Sequence, residues 1–200
     1  WKKDGAPYLM MDSFSVERAN NAQQLTTLKI ENGATVMFKD GDKLYVGSNS
    51  SSYRGALSAT GVTFTAQDTS LGWGGIYFSS YADDASCLLD SCTIENATDG
   101  IYCASSSPTI TNCTIQNNTD GIDADAGSQP TITGNTFTGN TRPISVYAAR
   151  INNTISGNTY TGNTKDYIEV QPDIIEDNGT FVWAKDNGPY VVVGDVYVQR

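Results

Sequence analysis

Apolar side chains alternate with Thr, Ser, Asp and Asn from residue 87 to residue 161, and the alternation itself recurs. The segments CLLDSCTIENATDGIYCASSS, PTITNCTIQNNTDGIDADAGSQ, PTITGNTFTGNTRPISVYAARIN and NTISGNTYTGNT start at Cys87, Pro108, Pro130 and Asn153, at spacings of 21, 22 and 23 residues. One apolar column holds Leu89, Ile110, Ile132 and Ile155. A second holds Ile94, Ile115, Phe137 and Tyr160. A third holds Ile101, Ile122, Ile144 and, with one residue inserted in the last turn, Ile168. A local period of two places one side chain inward and the next outward, which predicts three short strands per repeat with Asn-, Gly- and Asp-rich corners between them. A repeat this short cannot bury a core alone and has to stack on its neighbours.

Stacked three-strand turns give an all-β solenoid, a single-stranded parallel β-helix of about 22 residues per coil. A leucine-rich repeat is ruled out by the absence of its Leu-rich consensus and helical half. The phrases PTITNCTI, PTITGNTF and NTDGI are similar to the right-handed parallel β-helix repeat family. That family includes pectate-lyase-like enzymes and tandem-repeat bacterial and archaeal cell-surface proteins. The resemblance implies a right-handed coil and leaves activity open, because this superfold hosts lyases, hydrolases, adhesins and structural proteins.

Residues 1–82 are less regular than the coils at 87–170. Leu28 and Ile30, Val36 and Phe38, and Leu44 and Val46 alternate around Asn32-Gly33 and Asp40-Gly41 turns, and Ser48–Gly55 is a small-residue loop. Val62 and Phe64 join the columns of Cys92 and Ile94, and Ile76 and Phe78 join the third column. A larger repeat overlies these. WKKDGAPYLMMDSFSVER at 1–18 aligns without a gap to WAKDNGPYVVVGDVYVQR at 183–200, with seven identities in 18 positions. Two unrelated strands with similar ends do not account for the shared WxKDxxPY. The chain therefore divides into one unit at 1–182 and the opening of a second at 183–200. Trp1, Pro7, Tyr8, Trp183, Pro189 and Tyr190 are the candidate assembly residues. The chain opens on Trp1, as a processed protein or an excised piece does.

Composition narrows the partners. The net charge is −10, and charged residues make up 17% of the chain. No basic face is available for nucleic acid, and no apolar run is long enough to span a bilayer. Six N-x-S/T sequons, at Asn49, Asn96, Asn112, Asn117, Asn152 and Asn178, are candidates for N-glycosylation. Cys87, Cys92, Cys103 and Cys113 fit no zinc spacing. Cys92 and Cys113 share a column one coil apart, either as a disulfide or as an unbonded stack, with Cys87–Cys103 as the other candidate pair.

The chain has no histidine, which removes Ser-His-Asp and Cys-His nucleophiles and ordinary catalytic zinc. Pectate-lyase-like chemistry, implied by the resemblance, needs carboxylates around calcium and an Arg or Lys base. Asp120, Asp123 and Asp125 crowd one turn and are the candidate calcium ligands. No other cofactor is expected. Asp99-Gly100 and Asp120-Gly121 occupy equivalent positions and read as turns, and Asp123 and Asp125 read as solvated outward positions. Tyr77, Tyr102, Asp123 and Glu169 share an outward column, and Arg142 lies at a matching corner. These five are the candidate glycan-binding residues, with Tyr45, Tyr53 and Tyr147 as further aromatics. Asn135 and Asn158 would form an amide ladder if their column faces inward. Two functions are in play. One is an extracellular or cell-surface structural unit that continues end to end with copies of itself and is not catalytic. The other is a carbohydrate-binding or lyase-like domain.

Overall fold

The computed structural model describes residues 1–3, 5–18, 25–176 and 180–199. Among them the chain winds through three long parallel sheets, followed by a two-stranded parallel sheet of Asp173–Glu176 and Val196–Gln199. Sheet A stacks Tyr8–Met10, Thr35–Phe38, Thr63–Ala66, Thr93–Glu95, Thr114–Gln116, Thr136–Thr138 and Thr159–Thr161. Sheet B stacks Phe14–Val16, Lys43–Val46, Gly75–Phe78, Asp99–Cys103, Asp120–Ala124, Arg142–Tyr147, Ile168–Gln171 and Tyr190–Val192. Sheet C stacks Thr26–Ile30, Gly55–Thr60, Leu88–Asp90, Thr109–Thr111, Thr131–Thr133 and Ile155–Ser156. Each coil visits C, then A, then B, so every strand pairs in parallel with its counterpart one coil away.

The apolar columns meet in register along the axis. Phe64, Ile94, Ile115, Phe137 and Tyr160 pair in succession in sheet A, as do Ile76, Ile101, Ile122, Ile144 and Ile168 in sheet B. Most are fully buried, and removing one such side chain costs roughly 2–5 kcal/mol. Residues 1–82 prove more regular than their sequence suggests, since their strands belong to the same three sheets. Their irregularity lies in longer corners. Trp73 fills one of these, stacked on Phe38 at 4.5 Å between ring centroids and donating its indole N–H to Glu95 O.

Two corners flank sheet A, and both are built the same way. At the C-to-A corner, Ser91, Asn112, Gly134 and Gly157 take left-handed φ of 54°, 54°, 68° and 68°. At the A-to-B corner, Asn96, Asn117, Gly139 and Gly162 do so at 60°, 56°, 67° and 69°. Gly, and after it Asn, reaches this region at least cost. The next residue in each case points inward. At the first corner these are Cys92, Cys113, Asn135 and Asn158. Backbone N–H of Cys113 donates to Asn135 Oδ1 at 2.8 Å, that of Asn135 to Asn158 Oδ1 at 2.9 Å, and that of Asn158 to Asp186 Oδ1 at 2.8 Å. The second corner repeats the scheme through Asn118, Asn140 and Asn163, and ends on Asp166 Oδ1. Each amide Nδ2 also donates to a carbonyl of the preceding coil, as from Asn135 to Ile110 O and from Asn140 to Ile115 O. The expected inward ladder of Asn135 and Asn158 is present, and a second one accompanies it.

The cysteine column continues the first ladder with sulfur. All four cysteines are buried free thiols, so neither candidate disulfide is present. Cys92 N–H donates to Cys113 Sγ at 3.4 Å, and Cys113 Sγ lies 3.2 Å from Thr111 O. Burial pushes the Cys87 thiol up to about 12 and the Cys103 thiol well above its usual range, which makes both unreactive.

Asn135→Ala is expected to cost about 1–3 kcal/mol, because it strands the buried Cys113 N–H and Ile110 carbonyl. Asn163→Ala, at the half-exposed end of the other ladder, is expected to cost less. Urea unfolding of the two variants checks the order, and equal losses would contradict the ladder's role in the core.

Candidate functional site

The outward side chains of sheet B form one continuous strip. Tyr45, Tyr77, Tyr102, Asp123, Ser145 and Glu169 pair in succession over six coils. Parallel pairing forces this, because residues in register keep their parity and stand on the same face. The Tyr45–Tyr77 ring centroids are 5.4 Å apart, and those of Tyr77–Tyr102 are 5.0 Å apart and stacked. Lys43 Nζ lies 5.5 Å from the Tyr77 ring centre. Burial, followed by neighbouring phenols and aspartates, raises the Tyr77 and Tyr102 hydroxyls above their ordinary value. Both remain neutral hydrogen-bonding groups.

The second half of the strip is an ion-pair network centred on Arg142. Its Nε and Nη2 donate to the two oxygens of Asp120 at 2.8 and 2.9 Å, and its Nη1 donates to Glu169 Oε1 at 2.9 Å. Asp123 Oδ2 lies 3.7 Å from Nη2. Lys165 Nζ donates to Glu169 Oε2 at 2.7 Å, and Gln171 Nε2 bridges Glu169 and Ser145 Oγ. Burial pushes the Glu169 carboxyl up, but hydrogen bonds from Lys165 and Arg142 outweigh it and hold the group below its ordinary value of 4.5. Asp123 goes the other way. Burial raises it above 3.8, Ser145 and Arg142 oppose that, and Asp120 and Glu169 add to it. Asp99 is also raised, by burial and then by Asp120.

This geometry corrects three expectations. Asp99 and Asp120 are not turn residues but the first residues of sheet-B strands, with Gly100 and Gly121 buried behind them. Asp123 is not simply solvated, because it faces Arg142. Asp120, Asp123 and Asp125 do not converge as calcium ligands. Asp120 is taken by Arg142, while Asp125 Oδ1 accepts from the backbone N–H of Ser105 and Gly127 and from Ser128 Oγ. No group of three or more His, Cys, Asp or Glu among the described residues is arranged to hold a metal ion.

The five candidate glycan-binding residues do come together on one face. Tyr77 lines a shallow cleft of ≈ 340 Å³ with Ser15, Glu17, Tyr45, Asn49 and Ser79. Tyr102, Asp123 and Arg142 line a smaller one of ≈ 180 Å³ with Ser145, Tyr147 and Gln171. Of the sequons, Asn49, Asn112 and Asn117 are exposed, Asn96 and Asn152 are half-buried, and Asn178 lies outside the described residues. Asn96, Asn112 and Asn117 are the left-handed corner residues described above, which gives them a conformational role of their own. Asn118, Asn140 and Asn163 escaped the sequence reading. Their signal was a fixed place one residue after each left-handed corner.

The candidate assembly residues form two copies of one local structure. Trp1 stacks on Tyr8 at 4.9 Å, and Trp183 packs on Tyr190 at 5.6 Å. Tyr8 Oη donates to Lys2 O at 2.7 Å, and Tyr190 Oη donates to the aligned Ala184 O at 2.9 Å. The two copies lie at opposite ends of the solenoid. Pro7 and Pro189 precede each Tyr, and Pro189 O accepts from Ile168 N.

Residues 18–191 match the family described as right handed beta helix region, and the chain belongs to that family. No curated protein and no solved structure matches the chain. The fold occurs in lyases and in proteins without catalytic activity.

Arg142→Met leaves Asp120 and Glu169 without their shared cation. It is expected to cost about 2–4 kcal/mol at pH 7, somewhat less than breaking a fully buried pair, since Arg142 keeps partial contact with solvent. Glu169 is depressed in the fold, so its contribution is present above 4.5 and is lost as pH falls through the folded value. The gap between parent and variant should therefore shrink by pH 3. Urea midpoints at both pH values check this, and a gap independent of pH would contradict it.

Proposed function

We propose that this chain is a non-catalytic structural unit of the extracellular or cell-surface space, which continues end to end with copies of itself in a tandem array, filament or stalk. The observation that carries this reading is the recurrence of the Trp–Tyr unit at both ends, each copy beside inward positions less covered than their partners one coil further in. Val198 shares its register with the buried Ile175 yet is 79% exposed, and Val192, paired with the buried Val170, is 45% exposed. At the other end Tyr8, Met10 and Phe14 are only partly covered, while their partners Val36, Phe38 and Leu44 are fully buried. Apolar side chains left open at a solenoid end call for a cap or a continuation. The sequence repeat favours continuation. Absence of catalysis fits the commitment of Arg142 to carboxylates, which fixes its positive charge. Raising its pKa further, the hydrogen bonds from Asp120 and Glu169 outweigh the opposing effect of burial.

The test is a longer chain in which residues 1–200 are followed by residues 19–200 of a second copy. The expected result is one cooperative unfolding transition at a higher denaturant midpoint than the single unit, because solenoid units stabilise each other through nearest-neighbour interfaces. Two transitions, each at the single-unit midpoint, would overturn the proposal.

A second reading, glycan binding on sheet B, is favoured by the Tyr45–Tyr77–Tyr102 ladder beside two polar clefts. Flat aromatic rings with adjacent hydroxyl and carboxylate groups suit a sugar's apolar face and its hydroxyls. Electrophoresis in gels containing polysaccharide should show retardation of the parent chain. The double variant Tyr77→Ala, Tyr102→Ala should lose it, and equal mobility of both chains would discard this reading.

A further inference from the structure

The two copies of the Trp–Tyr unit do not occupy the same face. Tyr8–Met10 is the first strand of sheet A and pairs with Thr35–Phe38. The aligned Tyr190–Val192 is the last strand of sheet B and pairs with Ile168–Gln171. Likewise Phe14–Val16 opens sheet B, whereas the aligned Val196–Gln199 pairs with Asp173–Glu176, just past the end of sheet B. Parity nevertheless agrees throughout. Tyr8 and Tyr190 both face buried partners, Val36 and Ile168, while Leu9 and Val191 face the outward Met37 and Glu169.

Each copy uses the strand edge that the other leaves open. At the start of the chain this strand is paired only toward the following coil. At the end it is paired only toward the preceding one. Superposed, the two copies give a strand with both edges satisfied, with Ile168 on one side of the Tyr and Val36 on the other. The chain beside each Trp is also tied to one neighbouring coil: Glu31 N–H donates to Trp1 O from the following coil, and Asn153 N–H donates to the O of Val182, just before Trp183, from the preceding one.

We infer that consecutive units join with a shift of one face, so that sheet B of one unit runs on as sheet A of the next. This rests on the end-to-end reading above and specifies its joint. Phe38 of the second copy then covers Val192, and Val46 covers Val198, closing the two exposed inward positions. A straight join, sheet B onto sheet B, would instead set Tyr190–Val192 against Lys43–Val46 and give the strand a partner that its sequence copy does not have. The shift also ends the Tyr45-to-Glu169 strip at each joint, because the outward column continues as Val191, Met37 and Thr65. A tandem array would carry its polar strip as separate segments on faces that turn from unit to unit.

The experiment uses the two-unit chain, residues 1–200 followed by 19–200. One variant carries Val191→Cys together with Met37→Cys in the second copy. The other carries Val191→Cys together with Tyr45→Cys in the second copy. Neighbouring parallel strands lie about 4.8 Å apart, within disulfide reach. Under mild oxidation, peptide mass mapping is expected to find the 191–37 disulfide in the first variant and none in the second. A 191–45 disulfide would overturn the face shift while leaving end-to-end stacking intact. Neither disulfide, together with no gain in unfolding midpoint, would overturn the shift and the structural proposal at once. Neither disulfide despite a raised midpoint would overturn the shift alone. The parent two-unit chain serves as the control for the buried native thiols.

Discussion

Every coil of this protein depends on having another coil above and below it. A three-strand turn has no interior of its own. Its inward side chains are buried only because the same columns recur about 5 Å further along the axis. The corners obey the same constraint in polar form. At both edges of sheet A, a left-handed residue turns the chain and the next residue carries a side-chain acceptor inward, where it meets the N–H of a neighbouring corner. Burial of backbone polar groups is tolerable only when they are paired. The asparagines supply that pairing, and the same group extends the column through the stack. The ladders end on Asp186 and Asp166, where carboxylates take over from amides.

The same constraint explains what the outer surface can offer. Parity along a strand is fixed, so any outward residue recurs as a column, and sheet B turns six unrelated positions into a strip. Its Tyr half is flat and weakly charged, and in its acidic half Arg142 and Lys165 offset much of the charge of Asp120, Asp123 and Glu169. A chain with net charge −10 thus presents carboxylates there that are paired with cations of its own. The ends are the places where the constraint goes unmet, and the exposed apolar residues Leu9, Met11, Val192, Val193 and Val198 gather there.

The columns were legible because strand parity writes itself directly into sequence: Leu89 to Ile155, Ile94 to Tyr160 and Ile101 to Ile168 were placed correctly from spacing alone. Asn135 and Asn158 were legible through their alignment with Cys92 and Cys113. Asn118, Asn140 and Asn163 were not, since asparagine in a corner already has a sufficient local explanation in its tolerance of left-handed φ. Asp120 was misread for the same reason. An Asp-Gly pair reads as a turn until its partner is known, and its partner, Arg142, lies 22 residues away.

Recurrence in the sequence by itself determined the fold, the register and the existence of a longer repeat linking Trp1–Arg18 to Trp183–Arg200, because stacking makes each residue's neighbour the residue one period away. Tertiary structure decided what has no period. It paired Arg142 with three carboxylates, left four thiols unbonded, and set the two Trp–Tyr copies on different faces of the helix. The physical reason is that alignment compares residues along the chain, whereas a face is defined by how far the coil has turned, and the corner lengths that set the turn vary from coil to coil.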